Sequence, residues 1–300
     1  MSDATRAQTV GFVGLGMMGY PMATNIVRKG LSLVAYDTRK ETVDGICALG
    51  ARAASGPADV ARQASIVVSM VDTTAQAEEV ILGPGGLIEA AQRGDVIISM
   101  STIDPVMLRA THAKLAEKGV GFIDAPVSGM QKGAIAGTLK AYVGGDEADL
   151  AKARPVLATM TSEVVHFGGI GQGTTMKLMN NMLCQIGWVL CAEALVLGTK
   201  AGLDPKLMVE TILRATGNSV AFEYMGPRVL KRDFDGIRLD ISYKDIELQT
   251  QLAKSLKVPL LMGNVGQQVY QMARAAGYGS EDGIAVLKVY ENLTGVVVGG

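Results

Sequence analysis

Residues 9–37 read TVGFVGLGMMGYPMATNIVRKGLSLVAYD, and in them a G-x-G-x-x-G (Gly14, Gly16, Gly19) stands between a strand signal and a helix signal. No other stretch limits the possible folds as much. Residues 9–13 are a short apolar, β-rich run of the kind that makes a buried parallel strand. In the turn that follows, the first glycine permits a tight bend and the second lets the backbone come close to a ligand. The third lets helix and strand pack together. A helix starting near Met17 aims its unbonded N–H groups and positive dipole end at that turn, which suits a phosphate. Residues 31–36 predict a second strand, and Asp37 closes it about 20 residues on, where a carboxylate meets the 2′-hydroxyl of an adenosine ribose. The segment therefore reads as a dinucleotide site built on Gly14, Gly16, Met17, Met18, Gly19 and Asp37. Asp37 repels a 2′-phosphate and so favours NAD; Arg39, two residues later, is a side chain that grips such a phosphate, which keeps NADP open.

The alternation continues. Residues 66–70, 96–100 and 121–124 are short apolar runs ending in polar residues, with helical stretches between them. Asp104-Pro105 has the form of an N-cap followed by proline in the first helical position. Such a pattern predicts a Rossmann-type, doubly wound parallel sheet. Polar residues after its strands then sit at the carboxyl edge, where ligands bind, so Ser69, Val71, Asp72, Ser101 and Thr102 are expected to line a cofactor cleft. After residue 167 the signals become almost entirely helical. One long helix is predicted over 174–201, then others over 205–215, 241–256, 259–276 and 280–293. The expected architecture is a dinucleotide-binding domain over 1–168 joined by the long helix to an all-α domain over 169–300.

Composition excludes several classes. The 28 basic and 29 acidic residues leave a net charge of −1 and form no basic stretch, so no nucleic-acid partner is expected. Three widely spaced cysteines and two histidines are too few for a disulfide framework or a metal site. The first residues lack a basic stretch followed by an apolar run, which points to the cytoplasm. Residues 182–198 are the longest apolar stretch, yet they fall short of a membrane span and carry Gln185 and Glu193; a buried helix is the expectation. So much apolar helix exceeds what a domain of roughly this size hides alone, so a homodimer or homotetramer through the helical domain is expected.

A nicotinamide cofactor carries hydride, so the protein must supply a proton carrier and hold the substrate. His112 lies in a peripheral helix and His166 ends a strand; both read as structural. Lys177, in GQGTTMKLMNN, is the better candidate. Lys177 and Asn181 are four apart on one helix face, near its start, and that face continues into Cys184, Trp188 and Cys191. A lysine among apolar neighbours is a costly placement, and burial together with the positive helix end lowers a lysine's pKa toward the range useful for proton transfer. Snorkelling to solvent is the alternative. A second cluster, Asp124-Ala-Pro-Val-Ser128-Gly129-Met130, follows a strand at the ligand edge. Ser128 and the N–H groups of Gly129 and Met130 form a possible nest for a carboxylate; a glycine-rich loop without a ligand is the competing view.

Four segments, GLGMMGYPMATN, DAPVSG, GQGTTMKLMNN and YKDIEL, resemble those of the β-hydroxyacid dehydrogenase family across nearly the whole length. The resemblance implies that Lys177 is the catalytic acid/base, that Asn181 assists substrate binding, and that Ser128 and Gly129 bind the substrate. It also implies that Thr102 and Lys244, with Asp245 beside the latter, approach the cofactor, and that Asn218 and Arg238 complete the pocket. There Arg238 is a candidate partner for a second carboxylate, although an ordinary surface arginine is the preferred reading of it. The implied reaction is NAD(P)-dependent interconversion of a small 3-hydroxy acid and its semialdehyde. Two departures bear on the substrate: Met130 stands where relatives usually have a second glycine, and Val71-Asp72 where many have Leu-Pro. The rival readings are an imine or ketone reductase, whose members commonly lack the lysine, and a non-catalytic dinucleotide-binding protein.

Overall fold

Six parallel strands are hydrogen-bonded in the order β3-β2-β1-β4-β5-β6 in a computed structural model that describes residues 6 and 8–300. They are β1 (Thr9–Val13), β2 (Ser32–Tyr36), β3 (Arg52–Ala53), β4 (Ile66–Ser69), β5 (Val96–Ser99) and β6 (Gly121–Asp124). The order reverses between β1 and β4, the place where doubly wound sheets open a crevice for ligands. Successive residues enter opposite cores. Val10, Phe12, Val68 and Ile98 join one, while Val13, Val67, Ile97 and Phe122 join the other. Burial on both faces is why these strands read as unbroken apolar runs. As anticipated, Asp104 caps the Pro105–Glu117 helix by accepting the Val106 N–H at 2.8 Å.

The Rossmann-type architecture followed by a helical region is borne out, with one addition. Three strands, β7 (Val127–Ser128), β8 (Leu139–Val143) and β9 (Thr161–His166), form a second sheet in which β7 runs antiparallel and β9 parallel to β8. The glycine-rich stretch read as a loop is instead the Met130–Ala136 helix and β8. The strand signal there is a brief alternation, with Leu139, Ala141 and Val143 buried and Lys140 outward, and Gly137 directly before it looks like more loop.

By its internal contacts the chain divides at Lys177/Leu178, inside a helix that runs from Gln172 to Lys200. The second unit is helical throughout: Pro205–Ile212, Val220–Leu230, Leu239–Leu256, Leu261–Ala275, a 3-10 turn at Gly283–Val286, and Leu287–Thr294. Trp188, Phe222, Met225, Tyr270 and Leu287 are central to its core. The Val220–Leu230 helix was not expected, because Gly226-Pro227 in its middle reads as a break. It forms because Ser219 caps it, accepting the Phe222 N–H at 3.1 Å, and because its apolar face enters the core. The single helix expected over 280–293 is divided. The buried Asp282 carboxylate takes the Ile284 and Ile237 N–H groups at 3.0 Å each and the Tyr224 hydroxyl at 2.6 Å, starting the 3-10 turn there.

The long helix also corrects an expectation. It is long and apolar enough to cross a membrane by length and composition, and only 33% of its most apolar window is buried. One face is bound into the second unit: Gln185 accepts from Gln249 Nε2 at 3.1 Å, and Trp188 Nε1 donates to the Ala221 carbonyl at 3.2 Å. On the other face Leu183, Leu190 and Leu197, seven residues apart, are 76%, 66% and 72% exposed.

Candidate active site

The three glycines of the first turn are held to different demands. Gly14 has φ +97°, and a Cβ on it would lie 2.2 Å from the Met70 carbonyl oxygen. On Gly19 a Cβ would lie 2.0 Å from the Gly14 carbonyl oxygen. Those two are glycine because of the protein's own packing. Gly16 differs: the nearest atom to a Cβ there is Arg39 Nη2, 4.0 Å away. Nothing among the described residues fills that space, so the turn leaves room for a pyrophosphate to approach the backbone. The helix that follows, Gly19–Arg28, has no side-chain cap at its N-terminus. Both features fit a dinucleotide at the turn formed by Gly14, Gly16, Met17, Met18 and Gly19.

Asp37 ends the neighbouring strand as expected, and its surroundings are now defined. Its Oδ2 accepts the Leu15 N–H at 2.6 Å, and Arg39 donates from Nε to Oδ1 at 3.0 Å and from Nη2 to Oδ2 at 3.1 Å. Burial pushes its pKa up, but the Arg39 side chain and the Arg39 and Leu15 amides outweigh this and hold the carboxyl below its usual value. One carboxylate thus ties the phosphate turn to β2 while Arg39 lies across it. Val71 donates its N–H to Ser101 Oγ at 2.8 Å, and Asp72 donates its N–H to Gln76 Oε1 at 3.0 Å. Thr102 is half-buried after β5.

Ser128 is half-buried at the end of β7, paired with Lys140 of β8. Gly129 follows with φ +130° and Met130 with φ +56°. Met130 therefore occupies left-handed backbone where a Cβ costs about 1–2 kcal/mol. The departure noted in the sequence falls on a strained residue in the candidate substrate loop, and strain of this kind clusters at ligand-binding sites.

Lys177 is half-buried, in the second turn of the long helix. Asn181 is one turn further on, and its amide is fixed. Nδ2 donates to Asp245 Oδ2 at 2.6 Å and Oδ1 accepts from Asn180 Nδ2 at 3.2 Å. The other oxygen of buried Asp245 pairs with Lys244 Nζ at 3.2 Å. Within the second unit, the Asn180-Asn181 end of GQGTTMKLMNN is thus joined to Lys244 and Asp245 of YKDIEL. Asp245 gains a role that sequence spacing did not give it, since its partner lies 64 residues away. Asn218 is not drawn into this group: its Nδ2 is used within its own turn, on the Leu213 carbonyl at 3.1 Å and Glu223 Oε1 at 2.9 Å. Arg238 is exposed at the start of the Leu239–Leu256 helix. His166, read as structural, places Nε2 2.8 Å from the Gly145 carbonyl.

The largest omission from the sequence reading is Asp124. It is completely buried at the end of β6, and its two oxygens accept the N–H groups of Gly171 and Thr174 at 2.6 Å each. Burial raises its pKa, opposed by those two amides.

Comparison with known proteins identifies the family. The family model of the NAD binding domain of 6-phosphogluconate dehydrogenase matches residues 9–169. The model for the NAD-binding region of NADP-dependent 3-hydroxyisobutyrate dehydrogenase matches residues 171–290. The chain is 40% identical over 293 residues to 2-(hydroxymethyl)glutarate dehydrogenase of Eubacterium barkeri, covering 97% of each. It is 35% identical over 283 residues to the mitochondrial 3-hydroxyisobutyrate dehydrogenase of Rattus norvegicus, covering 91% of this chain and 84% of the relative. Among solved structures it is similar to Mycobacterium tuberculosis 3-hydroxyisobutyrate dehydrogenase with L-serine, at TM-score 0.85 and 31% identity over 94% and 99% of the two chains.

Proposed function

The chain belongs to the β-hydroxyacid dehydrogenase family of NAD-dependent oxidoreductases, and on that basis we propose that it interconverts a small 3-hydroxy acid and its semialdehyde with Lys177 as the proton carrier. The observation that carries this reading is the pair Lys177 and Asn181, one turn apart on a helix, with the Asn181 amide already fixed by Asp245. In the oxidative direction Lys177 Nζ takes the hydroxyl proton as the C–H bond of the carbinol carbon gives up its electron pair with the hydrogen; in the reductive direction it returns the proton to the carbonyl oxygen. Bound nicotinamide supplies the acceptor or donor of that hydride. Asn181 keeps the substrate hydroxyl oriented, and Ser128 with the amides of Gly129 and Met130 receives the substrate carboxylate.

Gly14, Gly16, Met17, Met18, Gly19, Asp37, Val71, Asp72 and Thr102 make up the cofactor set of the first unit. Lys244 is assigned to the cofactor, and Asn218 and Arg238 to the substrate. NAD is the preferred cofactor because Asp37 holds Arg39 by two side-chain bonds. One relative's name is that of a dicarboxylate substrate, so the substrate class includes 3-hydroxy acids with a second carboxylate, for which Arg238 is the partner. The exposed Leu183, Leu190 and Leu197 stripe, with Leu261, Met262 and Val265 also exposed, supports a homodimer or homotetramer. The polar bonds of Gln185 and Trp188 within the helical unit support a helix packed in its own domain over one inserted in a membrane, as a cytoplasmic protein requires.

Turnover with mono- and dicarboxylic 3-hydroxy acids, followed by NADH absorbance with each cofactor, tests the reaction. Lys177→Ala should lower kcat by roughly 10²–10⁴-fold with NADH affinity unchanged. Near-normal turnover in that variant would remove the lysine from the mechanism. Light scattering after size exclusion reads the assembly; a monomer at micromolar concentration would overturn it.

A further inference from the structure

Four residues before the candidate substrate loop, a carboxylate closes the start of the helix that carries Lys177. The Gly171 carbonyl accepts the first helical N–H, from Thr175 at 2.9 Å, so Gly171 is the N-cap and Thr174 the third helical residue. A helix usually satisfies these two amides locally: the N-cap side chain takes the third residue's N–H, and the third residue's side chain takes the N-cap N–H. Neither half is available from Gly171 and Thr174. Asp124 supplies both from a different strand, Oδ1 to Gly171 and Oδ2 to Thr174.

The surroundings allow little movement. Asp124 exchanges backbone hydrogen bonds with Gly144 at 2.9 and 2.8 Å, tying the end of β6 to the end of β8. A Cβ on Gly144 would lie 2.5 Å from Asp124 Oδ1, and one on Gly173 would lie 2.2 Å from the Tyr142 carbonyl oxygen. Strand ends and helix start are therefore packed backbone to backbone around the carboxylate. Thr174 and Lys177 are three apart and neighbours on one helix face, about 4.5 Å along the axis. A full burial of charge is expensive unless hydrogen bonds compensate it, and a helix N-terminus is where a carboxylate does most good.

We propose that Asp124 is a positioning residue for the reaction: by fixing the first turn of the long helix to the strand that leads into the Ser128 loop, it sets where the Lys177 ammonium stands. The proposal rests on the reading of Lys177 given above. Lys177 does the chemistry and Asp124 acts through it.

Asp124→Asn keeps the shape but presents one N–H group to an N–H group, releasing half of the cap. A misplacement of about 1 Å is enough to cost roughly 100-fold in rate, so kcat should fall by about 10- to 100-fold per folded enzyme. KM for NAD should stay within about twofold, since the phosphate turn is untouched, and the solvent deuterium isotope effect on kcat should rise as proton transfer becomes limiting. In a Lys177→Ala background the same substitution should change kcat little further. If Asp124→Asn lowers Tm but leaves kcat and the isotope effect alone, Asp124 is only a structural cap and the proposal fails while Lys177 stands. If Lys177→Ala itself turns over normally, both readings fail. Should Asp124→Asn not yield folded protein, Gly171→Ala shifts the same turn more gently through its φ of +88°. It should show the same split at a smaller scale, and unchanged kcat there would overturn the proposal.

Discussion

Two glycine-rich turns in the first unit each launch a helix, one at Gly14–Gly19 and one at Gly168–Gly173, and they put their helix ends to opposite uses. The first helix has no side-chain cap, and the space over Gly16 is open. In the second, the amides of Gly171 and Thr174 are taken by the protein's own carboxylate, Asp124. The backbone physics is the same, a ring of N–H groups and a positive dipole end. What differs is how the helix end is filled: open space of the kind a phosphate needs in one, a distant strand's side chain in the other. A glycine-rich turn before a helix therefore marks an anion site only when nothing in the chain already fills it.

The strongest way to break this contrast is at the packing glycines. Gly14→Ala puts a Cβ 2.2 Å from the Met70 carbonyl on a backbone of φ +97°. Urea unfolding should show a loss of about 3 kcal/mol or more, the range of severe backbone strain. Gly16→Ala is the sharper test. With nothing nearer than 4.0 Å, folding stability should hold within about 0.5 kcal/mol. NADH affinity by fluorescence titration should meanwhile fall roughly tenfold, about 1.4 kcal/mol. Wild-type NADH affinity in Gly16→Ala would mean that the open turn is not the ligand's.

A smaller effect is expected at Met130. Its glycine variant relieves about 1–2 kcal/mol of left-handed strain and adds about 0.5–1 kcal/mol of chain entropy lost on folding. Thermal melts should therefore move by little, while KM for the hydroxy acid changes and KM for NAD does not. An unchanged substrate KM would place Met130 outside the pocket.

The last contrast is between the two carboxylates, and the effect is smallest. Asp37 has a lowered folded pKa, so its stabilisation is present above the usual carboxylate value and lost as pH falls through the folded one. Asp124 has a raised folded pKa, so its burial cost is present at neutral pH and relieved as pH falls through that value. Between about pH 5 and pH 3, the stability difference between wild type and Asp37→Asn should shrink, and that between wild type and Asp124→Asn should grow. Slopes of the same sign would erase the electrostatic distinction between the two turns.

What the sequence disclosed follows this same division. The phosphate turn was legible because its parts are local: strand, glycines, helix and Asp37 all fall within 29 residues, residues 9–37. The Asp104 cap was legible for that reason too, bonding an amide two residues on. Asp124 was not, because its amides lie 47 and 50 residues downstream, nor was the bond from Asn181 to Asp245. Helix Val220–Leu230 was hidden by Gly226-Pro227, where tertiary packing overrides local propensity. At Met130 only the resemblance hinted at a special position; a methionine carries no local signal for φ +56°.

The distant cap also governs how the long helix begins. Starting a helix is its unfavourable step, because several residues must be ordered before hydrogen bonds accumulate. Here β6, carrying its carboxylate, precedes the helix in the chain, so in N-to-C synthesis the acceptor is made before the amides that need it. A 29-residue helix with a leucine-lined face is a segment that aggregates if it lingers unfolded. The sheet offers it a ready nucleus, and the turn that carries Lys177 follows directly on the two capped amides.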